Sequence, residues 1–519
     1  MKYIIGQDRK QLNIFPVSLD ESISRDNEVR IIDLFIDSLD VAGFGFKVDY
    51  GENGRPAYHP ADLLKLYIYG YLNKVRSSRD LEKESKRNIE VMWLLKGLQP
   101  DHNTISNFRR DNPEPIRKVF NITVQTGKYF KLIGGKLLAG DGTKLRAQNS
   151  KKNNYNQYKI ERHIEYIDRK IDEYSEMLAM ADGDKEKVIK KIEKHQKRKE
   201  KYQQLSEQLK ETGQDQISTS DTESRQIMIR NGITEVSYNV QTTVDSDNNL
   251  LIDYKVTNNN DIKAMSEMAG RAAEIVGNND FTVLYDKGYH NGSELKAVQE
   301  MGIETLVAIP DAGSCAPDEN YNVSNFTYHK DSDFYTCPQG QILTTNGRWY
   351  NKSKKKNRDV VQIRHYTTKN CKNCPVMKSC TKSLEGRIIE RSEYAEYTEQ
   401  NRKNMEAKRD VYRRRQAIVE HPYGTIKRQW GFNYILTKQG MDRASSDVGL
   451  MFVAYNLRRL INILGFDIIK GYLKSIIAII LTFYKAITSI LRQFFYPDNL
   501  SESFSDSFII HLNALSLSE

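Results

Sequence analysis

The stretch KLLAGDGTKLRAQNS, residues 136–150, places an aspartate behind a short apolar run and sets glycines around it. The stretch FTVLYDKGYHNGSELKAV, residues 281–298, repeats this arrangement with an apolar run, an aspartate and a glycine within two residues. Short apolar runs bounded by glycine are typical of buried strands. We therefore predict that Asp141 and Asp286 each follow a strand, the first strand covering residues 136–139.

The residues between these two stretches predict the rest of a sheet. The segment EVSYNVQTTVDSDNNLLIDYKVTN, residues 235–258, contains two alternating runs joined by the turn-forming residues 245–249. A helix is expected at about 261–276, and ETLVAIP at 304–310 reads as a further strand. Antiparallel strands followed by strand–helix alternation indicate a mixed α/β fold.

A third acidic residue, Glu420, lies in a strongly basic segment that reads as helix. Residues 401–428 contain nine lysines and arginines against three acids, an excess suited to phosphate contact. A helix laid against the sheet could bring Glu420 to the two aspartates. Three carboxylates are ligands that Mg²⁺ or Mn²⁺ favours, and two such ions could activate a water or hydroxyl at a phosphodiester. Taken singly, each acid is more typical of a turn or a salt bridge.

Three segments resemble the carboxylate blocks of insertion-sequence DDE transposases. They are AGDGTKLRA at 139–147, LYDKGYHNGSEL at 284–295 and YRRRQAIVEHPYGTIKRQWGF at 412–432. The last is similar to that family's Tyr-Arg-Glu-Lys block, with four residues between Arg415 and Glu420 where the commonest form has three. Segments at 54–82 and 102–110 resemble the family's N-terminal helical domain, and SYNVQTTVD at 237–245 resembles its second-strand segment.

The resemblance implies an RNase H-like core and a metal-dependent transposase. Asp141, Asp286 and Glu420 would be its catalytic residues and would hold two Mg²⁺ or Mn²⁺ ions. The implied reaction is cleavage at terminal inverted repeats and transfer of the strands to target DNA, with double-stranded DNA as partner and a homodimer as the working assembly. The expected DNA contacts come from the basic segment and are Tyr412, Arg413, Arg414, Arg415, Lys427 and Arg428.

All five cysteines fall within residues 311–392, where the α/β pattern pauses. A C-x2-C pair with two further cysteines nearby can form a tetrahedral zinc site. The predicted ligands of this structural Zn²⁺ are Cys337, Cys371, Cys374 and Cys380, with Cys315 left over. The alternative is a set of reduced, partly buried thiols.

Changes in pattern along the chain suggest its organisation. The ranges expected are a helical DNA-binding domain at 1–130, a first core part at 131–310 with a helical-hairpin arm at 155–212, the insertion at 311–392, a second core part at 393–465 and a helical tail at 466–519. The arm is predicted from an apolar seam of heptad-like spacing. The first 130 residues could be a helix-turn-helix-like DNA reader or a plain helical bundle.

Composition and charge limit the classes of protein to which this chain could belong. The net charge of +10 suits a polyanionic partner, and 39% hydrophobic residues is enough for packed cores. No signal-peptide pattern or uninterrupted membrane-length apolar run is present, so a cytoplasmic, nucleoid-associated bacterial protein without a membrane role is expected. Two other functions stay open: a stand-alone RNase H-like DNA endonuclease, and a zinc-stabilised DNA-binding protein derived from a transposase.

Overall fold

The computed structural model describes residues 18–48, 56–180, 185–230, 232–310, 316–354 and 357–495. Within this part of the chain, no helix is long and apolar enough to cross a membrane. In the described part of the first 130 residues, the regular elements are all helices. They are α1 Val29–Asp37, α2 Pro60–Leu72, α3 Ser78–Arg87, α4 Ile89–Leu94, α5 His102–Asp111 and α6 Pro113–Tyr129.

The middle of the chain forms a sheet and a long helical hairpin. These elements are β1 Leu137–Arg146, β2 Asn154–Tyr155, α7 Gln157–Met180, α8 Lys185–Thr212, β3 Ile217–Ser218, β4 Arg225–Arg230, β5 Ile233–Asp245, β6 Leu251–Thr257, α9 Met265–Val276, β7 Thr282–Tyr285, α10 Gly292–Glu300 and β8 Glu304–Val307. The hairpin α7–α8 lies where the apolar seam predicts two helices. Its own small core includes Ile160, Leu205 and Leu209.

The main sheet is mixed, as the sequence predicts. Its strands run β6-β5-β1-β7-β8 across, and β4 pairs with the first part of β5. The pairs β1–β5 and β5–β6 are antiparallel, whereas β1–β7 and β7–β8 are parallel. The parallel strands are joined through helices, because a parallel pair needs a longer crossover connection than a tight turn provides.

Strand β1 is longer than predicted. It runs from Leu137 to Arg146, so Asp141 lies within the strand instead of just after it. The parallel pairing with β7 covers residues 137–139, whereas the antiparallel pairing with β5 continues to Arg146. The backbone beyond Ala139 therefore stays extended, because β5 continues to provide hydrogen-bond partners for its N–H and C=O groups.

The insertion has a sheet of its own. Its elements are β9 Thr327–His329, β10 Phe334–Thr336, β11 Ile342–Thr345, β12 Tyr350–Lys354, β13 Asn357–Thr367, α11 Met377–Cys380 and β14 Ile389–Ser392. The strands run β12-β13-β11-β10-β9, with β14 also paired to β13. The buried apolar cluster here is small and consists of Phe326, Tyr335, Leu343, Tyr366 and Ile389.

The chain returns to the main core through four helices and a π-helical turn. They are α12 Ala395–Ala407, α13 Arg409–Tyr423, the π-helix Gly424–Gln429, α14 Met441–Leu464 and α15 Phe466–Phe495. The long helix predicted from about 393 is thus two helices that meet at Lys408. Pro422 stays inside α13, and the π-helix follows directly, a common adjustment where regular bonding is interrupted.

Two buried asparagines bind the backbone of the outer strands of the main sheet. Asn401 of α12 accepts from the N–H of Val307 in β8 at 2.9 Å and donates to its carbonyl at 2.8 Å. Asn456 of α14 does the same to Leu251 of β6, at 3.1 and 2.8 Å. Both side chains are fully buried, so each helix is held in register against one edge of the sheet.

A buried charge cluster joins α14 to the N-terminal helices. Asp447 is 0% exposed and accepts hydrogen bonds from the Tyr71 hydroxyl, the Arg76 guanidinium at 2.8 Å and the Leu436 N–H at 2.7 Å. Arg109 lies 3.5 Å from the same carboxylate. The two arginines hold the pKa of Asp447 below its ordinary value despite burial.

Candidate active site

Asp141 and Asp286 come from adjacent parallel strands, Asp141 within β1 and Asp286 directly after β7. The parallel register pairs Leu137 with Thr282 and Ala139 with Leu284, so Asp141 and Asp286 each lie two residues beyond the same pair. Asp286 directly follows β7, as the sequence predicts, and accepts the Gly288 N–H at 2.8 Å. The sheet therefore brings the two carboxylates to one point.

The glycines around Asp141 allow close contacts on the opposite face of the strand. A side chain at Gly140 would begin 2.0 Å from the ring of Tyr285, and one at Gly142 would begin 2.2 Å from an Asp261 carboxylate oxygen. Tyr285 is buried, and Asp261 is held by hydrogen bonds from Lys144, Asn239 and Gln241, so neither contact could be relieved cheaply. The A-G-D-G-T pattern thus reflects the packing behind Asp141.

Burial raises the pKa of Asp141 to about 6. The Arg415 guanidinium opposes this rise in the pKa, and the Asp286 carboxylate adds to it. Arg415 Nη1 lies 3.9 Å from Asp141 Oδ2, and the two side chains are 17% and 25% exposed. Arg415 therefore faces the aspartates and provides positive charge there.

The inner face of α13 and the π-helix covers β1 through further polar contacts. The Tyr412 hydroxyl donates to the Tyr285 carbonyl at 3.2 Å. Tyr423 donates to the carbonyl of Asp141 at 3.2 Å and bonds the Thr242 hydroxyl. Lys427 Nζ donates to the Thr143 hydroxyl at 2.9 Å. Together these contacts place the basic segment across the strand that carries Asp141.

Glu420 does not point at the two aspartates. It is exposed, and its carboxylate accepts from Gln416 Nε2 at 2.8 Å along the outer face of α13. The predicted DNA contacts Arg413, Arg414 and Arg428 are exposed as well. Five positions separate Glu420 from the inward-facing Arg415 and carry Glu420 about 140° around the helix. Because Lys427 bonds Thr143 of β1, Glu420 and Lys427 face different ways.

A polar network behind Asp141 was not anticipated from the sequence. Asp261 accepts from Lys144 Nζ at 2.7 Å and from the amides of Asn239 and Gln241 at 2.8 Å each. The Tyr289 hydroxyl donates to Gln241 Oε1 at 2.5 Å. The network links β1 and β5 to the turn that follows Asp286, so it fixes the two aspartates relative to each other. Its members are far apart in sequence, and no local signal marks them.

The four cysteines predicted to bind zinc line one small cavity. Cys337, Cys371, Cys374 and Cys380 surround it with Met377 and Arg387. All four are free thiols, and Cys337 Sγ accepts the Gln341 N–H at 3.3 Å. Cys315 lies outside the described residues. Within the described part of the chain, no three His, Cys, Asp or Glu side chains are arranged to hold a metal ion as they stand.

Comparisons with known proteins bear on both ends of the chain. Residues 17–111 match the family described as Transposase domain (DUF772), and residues 336–461 match the family described as Transposase DDE domain. The second match spans the four zinc-candidate cysteines and Glu420, whereas Asp141 and Asp286 lie before it. No curated protein matches this sequence.

Among solved structures, the chain matches the "Cryo-EM structure of piggyBac transposase synaptic complex with hairpin DNA (SNHP)". That match has 9% identity and a TM-score of 0.28, over 87% of this chain and 79% of the other. A likeness of this size carries no structural conclusion. The two family matches, over residues 17–111 and 336–461, support a similarity of this chain to insertion-sequence DDE transposases.

Proposed function

We propose that this protein catalyses metal-dependent cleavage and strand transfer of DNA, with Asp141, Asp286 and Glu420 as its catalytic carboxylates. The observation that carries the proposal is that Asp141 and Asp286 lie within and directly after two adjacent parallel strands, beneath a basic helix. The strand order, with one antiparallel ribbon beside three parallel strands, supports an RNase H-like core.

The two aspartates suit Mg²⁺ or Mn²⁺. Carboxylate oxygens are the ligands these ions prefer, and Asp141 is a partly buried acid whose charge is only partly balanced by Arg415. Two bound ions would supply activation of the attacking oxygen and stabilisation of the leaving oxygen. The chain's own contribution is to hold the aspartates on two adjacent strands and to keep the covering helix in place through Tyr423 and Lys427.

Glu420 would reach the two aspartates through a change in its side-chain conformation and in the backbone at the end of α13. Its carboxylate accepts a hydrogen bond from Gln416 on an exposed surface, and this bond costs little to break. The π-helix that begins four residues later is the kind of irregular turn that often occurs at functional sites. Metal or DNA binding would supply the driving force for this rearrangement.

The DNA substrate is proposed to be the terminal inverted repeats of the protein's own element and then a target duplex. Exposed Arg413, Arg414 and Arg428 would contact phosphates, while Tyr412, Arg415 and Lys427 act nearer the aspartates. Because two DNA ends must be joined to one target, a homodimer is the proposed assembly. A bacterial cytoplasmic location, at the nucleoid, follows from the same function.

A structural Zn²⁺ in the insertion is also proposed. Four thiols line one cavity, and an N–H···S bond to Cys337 is the sort of contact that stabilises a thiolate ligand. The insertion's apolar cluster is small, and small units with limited cores commonly rely on metals or disulfides. The thiols need only close on the cavity to complete a tetrahedral Cys₄ site.

A cleavage and joining assay tests the main proposal. Purified full-length protein is incubated with Mg²⁺ or Mn²⁺ and a plasmid carrying the DNA that flanks its coding region. Asp141→Asn, Asp286→Asn and Glu420→Gln should each lower cleavage by at least about a hundredfold, in keeping with loss of a metal ligand. Glu274→Gln, on α9, is the matched control. Cleavage that survives all three changes would refute the site.

The products separate the proposed function from its alternatives. Cleaved DNA without any joined product would indicate a stand-alone nuclease. DNA binding without metal-dependent cleavage would indicate a DNA-binding protein derived from a transposase. Joined products that depend on all three carboxylates support the transposase.

A further inference from the structure

The second helix of the arm carries a continuous row of positive charge, which we call the α8 basic stripe. Its members are Lys187, Lys190, Lys191, Lys194, Lys197, Arg198 and Lys201. They recur at spacings of three and four, or one where two are adjacent, and therefore fall within about one third of the helix circumference. All seven are exposed.

The packing of the arm explains why the stripe faces solvent. α8 packs on α7 through a seam that includes Ile160, Leu205 and Leu209, and the ring of His163 stacks on Tyr202 at 4.8 Å. The stripe residues are exposed and so lie outside this seam. The acids interspersed with the stripe in sequence, Glu186, Glu193 and Glu200, fall on one side of it, so no acid interrupts the row.

Few carboxylates neutralise the stripe. Lys190 pairs with Glu186 at 2.6 Å. Among the described residues, no carboxylate oxygen lies within 4 Å of Lys194, Lys197, Arg198 or Lys201. The positive field extends into the seam, where Arg198 and Lys194 add to the effect of burial in lowering the pKa of His195.

We propose that the α8 basic stripe binds the phosphate backbone of duplex DNA. The stripe is about 21 Å long at ~1.5 Å per residue, which matches roughly six base pairs at ~3.4 Å each. The seven cations along that length include Lys194, Lys197, Arg198 and Lys201, which have no carboxylate within 4 Å among the described residues. Such a row complements a row of phosphates, and no base-reading chemistry is needed. This inference rests on the proposed function, in which duplex DNA is the substrate, and adds a contact remote from the carboxylates.

The first helix of the arm determines the side from which DNA approaches. α7 carries acids at Glu161, Glu165, Asp168, Asp172 and Glu176, again at helical spacing. DNA would be repelled from this acidic row and attracted to α8. The acidic row of α7 suggests an alternative, in which the α8 basic stripe binds α7 of a second copy of the chain. The experiment below distinguishes this alternative from DNA binding.

The test measures binding of full-length protein to a fluorescein-labelled duplex of arbitrary sequence, by anisotropy, from about 50 to about 200 mM salt. One variant changes Lys190, Lys194, Lys197 and Lys201 to Gln, and the matched control changes the same four residues to Arg. The Gln variant should bind at least about tenfold more weakly, with the slope of log K against log salt reduced in magnitude by about 2 to 4, since each lost phosphate contact removes ~0.9. The Arg variant should bind like wild type.

Each other outcome of this binding experiment would overturn one of the proposals. Binding by the Gln variant with unchanged affinity and slope would overturn the arm proposal and leave the proposed function intact. Unchanged DNA binding with loss of dimer in sedimentation would assign the stripe to a second copy. Failure of the wild type to bind any duplex would overturn both proposals. Circular dichroism, with single Lys194→Gln and Lys197→Gln variants as milder changes, shows whether an altered slope reflects charge or unfolding.

Discussion

Arg415 Nη1 lies 3.9 Å from Asp141 Oδ2, so the arginine of the basic helix faces the first aspartate while Glu420 of the same helix faces solvent. Without a metal ion, the cation that balances Asp141 is a side chain. A metal ion entering the site must compete with Arg415 for that carboxylate. Arg415 is therefore in a position to tune metal affinity.

We expect Arg415→Gln to keep DNA binding largely intact but to alter the metal requirement. Removing the guanidinium removes the largest influence that lowers the pKa of Asp141, so the metal-free carboxyl is protonated at higher pH. The Mn²⁺ concentration needed for half-maximal cleavage should change about threefold, an effect of under 1 kcal/mol. Arg413→Gln, which removes an exposed arginine of the same helix, is the control. An identical metal requirement in both variants would show that Arg415 does not act on the site.

The raised pKa of Asp141 predicts a pH-dependent stability. An acid whose pKa is about 6 in the folded protein and 3.8 ordinarily stabilises the fold when protonated, and this contribution is lost as pH rises from about 4 to about 6. The stability of metal-free wild type relative to Asp141→Asn should fall across this window, by at most ~3 kcal/mol. Urea unfolding of both proteins at several pH values measures it. A difference that does not vary with pH would contradict the assigned pKa.

Asp447→Asn should destabilise the whole protein. The change leaves Arg76 and Arg109 without a buried counter-charge, and breaking such a cluster costs about 3–5 kcal/mol. Because the pKa of Asp447 is lowered, its contribution is present above the ordinary pKa and is lost as pH falls toward the lowered value. Thermal unfolding should show a large drop for Asp447→Asn and little change for Asp442→Asn in the first turn of the same helix. Equal melting temperatures for the two variants would argue against a central role for the cluster.

Tyr423→Phe should weaken catalysis more than folding. The hydroxyl contacts the Asp141 carbonyl and Thr242, and its loss should cost about 1 kcal/mol of stability. The same loss loosens the end of α13, where Glu420 must move, so cleavage should fall about tenfold or more. Tyr472→Phe in α15 is the control for removal of a tyrosine hydroxyl. Cleavage by Tyr423→Phe at the wild-type rate would exclude this positioning role.

The proposed zinc predicts one metal equivalent per chain and a dependence on its thiols. Atomic emission of purified protein should find zinc, and Cys371→Ser with Cys374→Ser should release it and lower the melting temperature. Cys315→Ser, outside the proposed ligand set, should do neither. A folded wild-type protein free of zinc would rule the site out.

Local patterns predicted the elements but not how they face one another. The alternating segment 235–258, the apolar run before Asp286 and the seam of α7 are strong periodic signals, and strands or helices occur at each. The extension of β1 past Ala139 depends on pairing with β5, which lies about a hundred residues away. The outward direction of Glu420 depends on one residue of spacing after Arg415.

The polar network shows the same limit more sharply. Asp261, Gln241 and Tyr289 come from three separate segments and meet only because the sheet brings them together. Each looks like an ordinary polar residue in its own neighbourhood. The glycines at 140 and 142 are the one local sign that something is packed closely behind Asp141.

Asn401 and Asn456 have a consequence for how copies of this protein could associate. Each amide occupies both backbone groups of a residue on an outer strand, and the helix that carries it lies over that strand. At Val307 and Leu251 a neighbouring molecule finds no unused donor or acceptor with which to extend the sheet. At these two positions the main sheet is therefore closed to the addition of a further strand, which lowers the tendency of copies to associate edge to edge there.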